Sequence, residues 1–338
     1  MTKIIGGIEM SLPIILGAGV CKDPRHLLPY LHPDLPLGAV IAGSATLEFR
    51  PGNDPENKGV VQWPDDWTQF VERGIGLNSH GMPNSGIEEF LERFASVPLN
   101  GRPALASLAG FSAKENARLV ERADREPYLA GMEINMGCGN TGKIPDAYSY
   151  ENAHATLKAL EYLARNGQLT KPIWIKLSPY ITMTERDELA AVYPEIDFTH
   201  VPVVTEGFVE AMVRLIAQYP FVKAIVFSNT LANCRRLGSD GKPVTTPFDG
   251  KAGLSGPILK RISLELVLWS TDLLPPWSHL DLIGCGGALT GDDVADYLRN
   301  GASAVQCVSG PVWHGNPRRY FGGLIESEAL QHQLVKNG

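Results

Sequence analysis

Short runs of almost wholly apolar residues recur along the chain and alternate with segments whose apolar residues return at a helical period. Strands that are buried on both faces give such continuous apolar runs. Eight runs fit this description, at residues 14–19, 39–46, 104–110, 132–136, 172–177, 222–229, 280–287 and 304–309. Eight strands alternating with helices predict an α/β fold, a (β/α)8 TIM barrel, with a doubly wound open sheet as the alternative.

The segments between the apolar runs carry helix signals. An apolar period near 3.6 is found at residues 153–166, 207–218, 258–273 and 292–299. Ser112 and Glu115 form a capping-box pattern, and Thr290 is predicted to cap the helix that follows it. These signals predict helices between successive apolar runs, as a (β/α)8 barrel requires.

Two segments are longer than a simple strand-to-helix connection, at residues 49–77 and 181–206. Long loops in compact domains usually bind or cover a ligand. No linker divides the chain, so we predict one domain over residues 1–338, with long βα loop insertions.

Composition and charge limit the kinds of partner that the protein can bind. Hydrophobic residues make up 44% of the 338 positions, and the net charge is −7 without a basic stripe. This balance argues against nucleic acid or an anionic membrane as the main partner. No apolar run reaches the length of a membrane-spanning helix, and the N-terminus lacks the pattern of a signal peptide.

The five cysteines, an odd number, are far apart and form no CxxC pair. This spacing is typical of a reducing compartment and argues against a structural zinc or an iron–sulfur cluster in the chain. We therefore predict a cytoplasmic protein without a metal site, and we expect it to form a homodimer.

The segment GMEINMGCGNTG, at residues 131–142, reads as a strand that runs into an irregular turn. The carboxyl ends of parallel strands carry the active sites of α/β proteins. Asn135, Cys138 and Asn140 would meet there, as two amides that hold a planar polar ligand and one thiol that moves a proton. The alternative is an ordinary βα loop in which the cysteine is a small apolar filler.

Two further features point to a cavity at the same end of the barrel. Gly286 and Gly287 follow the seventh run, and a helix start lies just beyond, an arrangement that suits a phosphate. Lys176 ends an otherwise apolar run, where an ammonium needs an anion or a polar ligand. Asn78 and Asn229 add amides that suit an amide- or imide-bearing substrate, although each alone is more often a turn residue.

Taken in order, the motifs GLNSHGMPNSG, ASLAGFSAKENARL, EINMGCGN, IKLSPY, SNT, AGLSGP and IGCGGALTG resemble those of the dihydroorotate dehydrogenase family over nearly the whole chain. That family consists of FMN enzymes on a (β/α)8 barrel. The resemblance implies an FMN-dependent dehydrogenase that oxidises (S)-dihydroorotate to orotate in pyrimidine biosynthesis. A proton leaves to a base and a hydride leaves to the flavin.

The resemblance also implies roles for individual residues. Cys138 would be the base, as in the soluble class, and Lys176 would lie beside the flavin. The substrate would be held by Asn78, His80, Gly81, Met82, Asn135, Asn140, Asn229 and Thr230. The flavin would be lined by Ala18, Gly19, Ser44, Ser107, Asn135, Lys176, Ser228 and Gly256, with Gly286, Gly287, Val308 and Ser309 at its phosphate.

Three positions depart from the family pattern. Gly43 stands where the soluble class has a lysine, and Lys22 stands where the quinone-linked class has its active-site lysine. Gly139 replaces a proline, and His80 replaces a residue that is often apolar. The departures keep two alternatives open: an FMN oxidoreductase of the same scaffold that acts on another small ring, or a barrel that serves as a non-catalytic subunit.

Overall fold

The computed structural model describes residues 2–53, 66–139, 144–245 and 247–336. The strands, in chain order, are β1 (Lys3–Ile5), β2 (Ile8–Met10), β3 (Ile14–Cys21), β4 (Ala39–Ala45), β5 (Gly76–Asn78), β6 (Ala104–Leu108), β7 (Gly131–Asn135), β8 (Ile173–Lys176), β9 (Ile196–Asp197), β10 (Val222–Phe227), β11 (Leu231–Arg236), β12 (Ala252–Ser255), β13 (Asp281–Cys285) and β14 (Ala304–Cys307).

The helices are α1 (Trp67–Arg73), α2 (Ile87–Ala95), α3 (Ala113–Asp124), α4 (Tyr150–Arg165), α5 (Met183–Val192), α6 (Phe208–Ile216), the single left-handed turn α7 (Pro247–Gly250), α8 (Ile258–Leu273), α9 (Gly291–Arg299), α10 (Ser309–His314), α11 (Pro317–Leu324) and α12 (Glu328–Lys336). Short 3-10 helices span Pro24–Tyr30 and Asp146–Tyr148.

Eight parallel strands close a barrel in the order β3, β4, β6, β7, β8, β10, β13 and β14, and β14 pairs with β3. Each barrel strand corresponds to one of the apolar runs, so the predicted (β/α)8 barrel is confirmed. The strands are buried on both faces because helices cover the outside and side chains fill the inside. On β3, for example, Ile14 and Leu16 pack outward against the helices, whereas Ile15 packs inside.

The hairpin of β1 and β2 closes the N-terminal end of the barrel. Ile5, Ile8 and Met10 join the interior cluster, in which Trp174 is the largest side chain. Trp174 is fully buried, and its Nε1 donates to the Gly6 carbonyl oxygen at 2.8 Å. The barrel interior is therefore filled by side chains at this end.

The helix caps follow the sequence closely, with one difference. Thr290 caps α9 in a complete capping box with Asp293. Ser112 caps α3 as predicted, but the Glu115 carboxylate accepts from the Phe111 backbone N–H rather than from that of Ser112. The Glu115 side chain thus bonds to the backbone of the residue before the N-cap, and the predicted capping box is only half formed.

A second, four-stranded sheet in the order β5, β12, β11 and β9 lies outside the barrel. Its strands come from the two predicted insertions and from a third, the hairpin of β11 and β12, which the sequence reading missed. β5 pairs with β12 through Asn78 and Gly253, so this sheet fixes a residue of the predicted substrate loop. The three insertions thus form one sheet, which joins β5, the β11–β12 hairpin and β9.

Candidate active site

A cavity of about 180 Å³ opens at the carboxyl ends of the barrel strands, and a second of about 80 Å³ continues from it. The two share a wall that includes Ala18, Lys176 and Val308. Of the residues predicted from the sequence, the larger cavity is lined by Ala18, Gly19, Lys22, Ser44, Asn78, His80, Met82, Asn135, Cys138, Lys176, Asn229, Thr230, Val308 and Ser309. The smaller adds Ser228, Gly256, Gly286 and Gly287.

Two predicted residues do not line either cavity. Ser107 is fully buried behind Ser44, and the two hydroxyl oxygens are 2.9 Å apart. Gly81 has a left-handed backbone conformation, in which a Cβ would meet the Asn53 side chain. A third predicted residue, Asn140, lies outside the described part of the chain.

A chain of hydrogen bonds orders the amides along the cavity wall. Asn229 Nδ2 donates to Asn135 Oδ1 at 2.7 Å, and Asn135 Nδ2 donates to Ser44 Oγ at 2.8 Å. The Thr230 backbone N–H donates to Asn229 Oδ1 at 2.8 Å. Because both carboxamides are held by protein partners, their orientations are fixed before a ligand arrives, as a rigid binding site requires.

Cys138, Lys22 and His80 form a cluster at the wall of the larger cavity, and all three are partly buried. Burial lowers the pKa of Lys22 to about 8, although a charge on Cys138 raises it. By reciprocity, the Lys22 cation favours the thiolate of Cys138. Burial and the nearby Lys22 cation lower the pKa of His80 to about 4, so that its imidazole is neutral at pH 7.

Lys176 is the charged group between the two cavities and is only 4% exposed. Its Nζ donates to Gln306 Oε1 at 2.8 Å and lies 3.7 Å from Glu133 Oε1. Glu133 and Gln306 were missed in the sequence reading. The available signal was a charged or amide residue inside an otherwise apolar strand, which needs a buried partner.

The loop between β13 and α9 lines the smaller cavity with backbone. Gly286 and Gly287 have φ angles of 131° and 62°, and a Cβ at either would clash with Ser263 or Lys260. Tyr297 donates from its hydroxyl to the Gly286 carbonyl oxygen at 2.7 Å. The two glycines are thus required by their conformation as well as by the close approach of neighbouring groups.

Gly43 borders the larger cavity, where the soluble class of enzymes was expected to place a lysine. Its φ angle is 123°, and a Cβ would lie 2.5 Å from the Ser107 carbonyl oxygen. A lysine does not fit this backbone conformation. Lys22, which directly follows the neighbouring strand β3, instead supplies a cation to the same cavity.

The family model for dihydroorotate dehydrogenase matches residues 1–220 and 201–319. The chain belongs to the dihydroorotate dehydrogenase family. Its members are oxidoreductases that act on a CH–CH bond, so the family and the reaction class predicted from the sequence are both confirmed.

Curated relatives of two kinds cover most of the chain. The catalytic subunit of dihydroorotate dehydrogenase B (NAD(+)) from Archaeoglobus fulgidus is 29% identical over 96% of this chain and 91% of its own length. The probable dihydroorotate dehydrogenase A (fumarate) of Streptococcus pneumoniae is 28% identical over 89% of this chain and 84% of its own length. The chain thus resembles both kinds of dihydroorotate dehydrogenase to nearly the same degree.

The described part of the chain has neither a helix suited to span a membrane nor a group of side chains suited to hold a metal ion. Among residues 2–53, 66–139, 144–245 and 247–336, no helix combines the length and the apolar character that a membrane span needs. The same part of the chain brings no three metal-binding side chains together in a way that would hold an ion.

Proposed function

We propose that this member of the dihydroorotate dehydrogenase family is an FMN-dependent enzyme that oxidises (S)-dihydroorotate to orotate in pyrimidine biosynthesis. The observation that carries the proposal is the placement of Cys138 and Lys176 in one cavity, with the hydrogen-bonded amides of Asn135 and Asn229 beside them. We further propose that residues 1–338 form a single FMN-binding unit.

The residues of the two cavities suit FMN. Lys176 is a buried cation at their shared wall, and the loop of Gly286 and Gly287 exposes backbone in a conformation closed to other residues. Ser309 and Val308 border the same space, so this end would take the phosphate. Ala18, Ser44 and Asn135 would lie along the ring system. Bound there, FMN supplies an acceptor for the hydride that leaves the substrate.

Cys138 is the group that would take the proton from the substrate carbon. A thiol of ordinary pKa is largely protonated at neutral pH, and a neighbouring cation increases its thiolate fraction. Lys22 is such a cation. It would also bind the carboxylate of the substrate, since an anion in this cavity meets few other positive charges among the lining residues.

The carboxamides of Asn135 and Asn229 would hold the imide of the substrate ring, because each Nδ2 has a second N–H beyond the one that donates to the protein. Asn78 would add a third amide to the same wall. Thr230, Met82 and the neutral imidazole of His80 complete the wall. Gly81 would act through the shape of its loop rather than by contact.

A second candidate is an FMN oxidoreductase that acts on another small ring. It is favoured by the combination of Gly43, Lys22 and His80 in the larger cavity, which changes the polar groups around the substrate. The third candidate is a non-catalytic barrel subunit. It is less well supported, because it assigns no role to Cys138 or to the hydrogen-bonded amides of Asn135 and Asn229.

The decisive experiment is anaerobic reduction of the purified, FMN-loaded protein. We expect about one non-covalent FMN per chain and bleaching of the flavin absorbance by dihydroorotate. A flavoprotein that other reductants bleach but dihydroorotate does not would favour the second candidate. A protein that takes up no FMN on reconstitution would contradict the proposal and favour the third.

The cytoplasmic location and the homodimer predicted from the sequence belong to this proposal as well. Sedimentation of the FMN-loaded protein tests the homodimer, and a sedimenting species with the mass of one chain would contradict it.

A further inference from the structure

An ion pair lies inside the barrel, beneath the cavity. Glu133 is fully buried and Lys176 nearly so. Gln306 bridges them, because its Nε2 donates to Glu133 Oε2 at 2.6 Å while its Oε1 accepts from Lys176 Nζ at 2.8 Å. Burial of one charge without the other would be costly, so the three side chains act as one unit.

Only part of this unit reaches the cavities. Lys176 and Gln306 line them, whereas Glu133 does not. Glu133 Oε1 also accepts from Ser107 Oγ at 3.3 Å, and Ser107 in turn contacts Ser44 on the cavity wall. Glu133 therefore influences the cavity along two lines of contact without touching a ligand.

The negative charge in this unit belongs to Glu133. The pKa of Lys176 is raised, because burial lowers it but the interactions with Cys285 and Glu133, hydrogen bonds included, outweigh burial, so the ammonium is present at pH 7. Burial raises the pKa of Cys285 itself, with Lys176 opposing, so Cys285 is a neutral thiol near pH 7. The thiol then supplies no charge, and within the described part of the chain the carboxylate that pairs with Lys176 is that of Glu133.

We infer that Glu133 is a positioning residue that, through Lys176 and Gln306, sets the reduction potential of the bound flavin. This inference rests on the proposed FMN function. Reduction adds electrons to the ring system beside Lys176, and the ammonium favours that added charge. A carboxylate 3.7 Å behind the ammonium cancels part of its field. In the proposed flavin site, the carboxylate of Glu133 would thus partly cancel the positive charge of Lys176.

The first test uses two single variants that change the charge in opposite directions. Glu133→Gln removes the carboxylate and keeps the shape of the side chain, so the flavin should become easier to reduce. Gln306→Glu adds a second carboxylate next to Lys176, so the flavin should become harder to reduce. We expect about a tenfold change in the equilibrium constant each way, or about 30 mV for a two-electron couple.

The matched control is the double variant, in which the carboxylate and the amide exchange places. In the double variant, the carboxylate at position 306 would accept from Lys176, and the amide at position 133 would donate to that carboxylate. The number of hydrogen bonds and the number of charges are therefore unchanged. The potential should return to within about threefold of the original equilibrium constant, or about 15 mV. If Glu133 served packing alone, the two single variants would not shift the reduction potential in opposite directions, and the double variant would not restore it.

The measurement is equilibration of each FMN-loaded variant with a reference dye during slow reduction, which requires no substrate. Single-variant shifts below about threefold, or shifts in the same direction, would overturn the inference. If Glu133→Gln fails to fold, a double variant with the same potential as Gln306→Glu would overturn it. Failure of the original protein to bind FMN would instead overturn the proposed function, so the two failures are distinguishable.

Discussion

At the scale of single residues, the thiol of Cys138 and the ammonium of Lys22 combine features of two classes. The cysteine is typical of the soluble class, and the lysine position is typical of the quinone-linked class. The structure brings both residues to the wall of one cavity and gives them an electrostatic interaction. We propose that Lys22 takes the place of the lysine that the backbone at Gly43 does not accommodate.

For Cys138, we predict that substitution by Ala keeps FMN bound but slows flavin reduction by roughly 10²-fold or more, the usual effect of removing a general base. Cys138→Ser should keep a residual rate that grows with pH, because a hydroxyl is a poorer base than a thiolate. Anaerobic stopped-flow reduction with dihydroorotate measures both. Cys234→Ala, which removes a buried thiol outside the cavity, is the control. An unchanged rate in Cys138→Ala would show that the thiol is not the base.

For Lys22, we predict a pH-dependent affinity for anionic ligands. The pKa of Lys22 is lowered to about 8, so the cation is present below that pH and is lost above it. The dissociation constant of orotate, read from the flavin spectrum, should rise above pH 8. At pH 7, Lys22→Ala should weaken binding by about 2–3 kcal/mol, the size of a charge-assisted hydrogen bond.

The variant Lys114→Ala, which changes an exposed lysine on α3, is the matched control and should leave the orotate affinity unchanged. Equal dissociation constants for the original protein and Lys22→Ala, with no change across pH 8, would mean that another group binds the carboxylate.

At the scale of elements, the loop between β13 and α9 depends on bonds from its surroundings. Asp293 accepts from the backbone N–H groups of Leu289 and Thr290, and Tyr320 donates to the Ala288 carbonyl oxygen. With Tyr297 bonded to Gly286, the backbone of this loop is fixed on both sides. A loop fixed in this way can present its backbone to a ligand without an ordering cost.

We predict that Gly286→Ala weakens FMN binding. The φ angle is 131°, and the new Cβ would lie 2.6 Å from Ser263 Oγ, so the loop must move. The strain should amount to about 1–3 kcal/mol, and FMN affinity should fall about 10-fold or more. Fluorescence titration of the deflavinated protein with FMN gives the affinity.

Gly322→Ala is the matched control, because its Cβ would meet nothing within 4 Å and the residue lies in α11. A helical glycine exchanged for alanine should be neutral or stabilising by about 0.5–1 kcal/mol. The same FMN affinity for both variants would contradict the role of the loop.

At the scale of the whole molecule, the two ends of the barrel have different tasks. The N-terminal end is closed by the β1–β2 hairpin and the Trp174 side chain, whereas the cavities open at the other end. In TIM barrels the N-terminal end contributes stability and the C-terminal end carries the site. The four-stranded outer sheet adds Asn78 and Ser255 to the cavity wall from segments far apart in the sequence.

We predict that Trp174→Phe lowers the free energy of unfolding by about 1–3 kcal/mol and leaves FMN affinity unchanged. The variant loses the hydrogen bond to Gly6 and leaves a space that the packed interior cannot fill. Urea denaturation of the FMN-free protein and FMN titration separate the two effects. A loss of FMN affinity as large as the loss of stability would show that the two ends are coupled.

The sequence by itself determined the barrel, because strands buried on both faces must be apolar throughout and each of the eight apolar runs became a barrel strand. It also indicated Cys138, the asparagines and the glycine pair, because they follow several parallel strands whose carboxyl ends meet at one edge of the barrel. The motif order was specific enough to indicate the family, which the family model confirmed.

The tertiary structure alone decided which charges meet. Glu133 and Gln306 lie on β7 and β14, far apart in sequence. Pairing of β7 with β8 places Glu133 beside Lys176, and closure of the barrel brings Gln306 to the same point. The hairpin of β11 and β12 was missed because its pairing with β5 and β9 is supplied by distant segments. Local patterns record burial and turns, whereas ion pairs and sheet partners depend on contacts across the fold, which no single segment encodes.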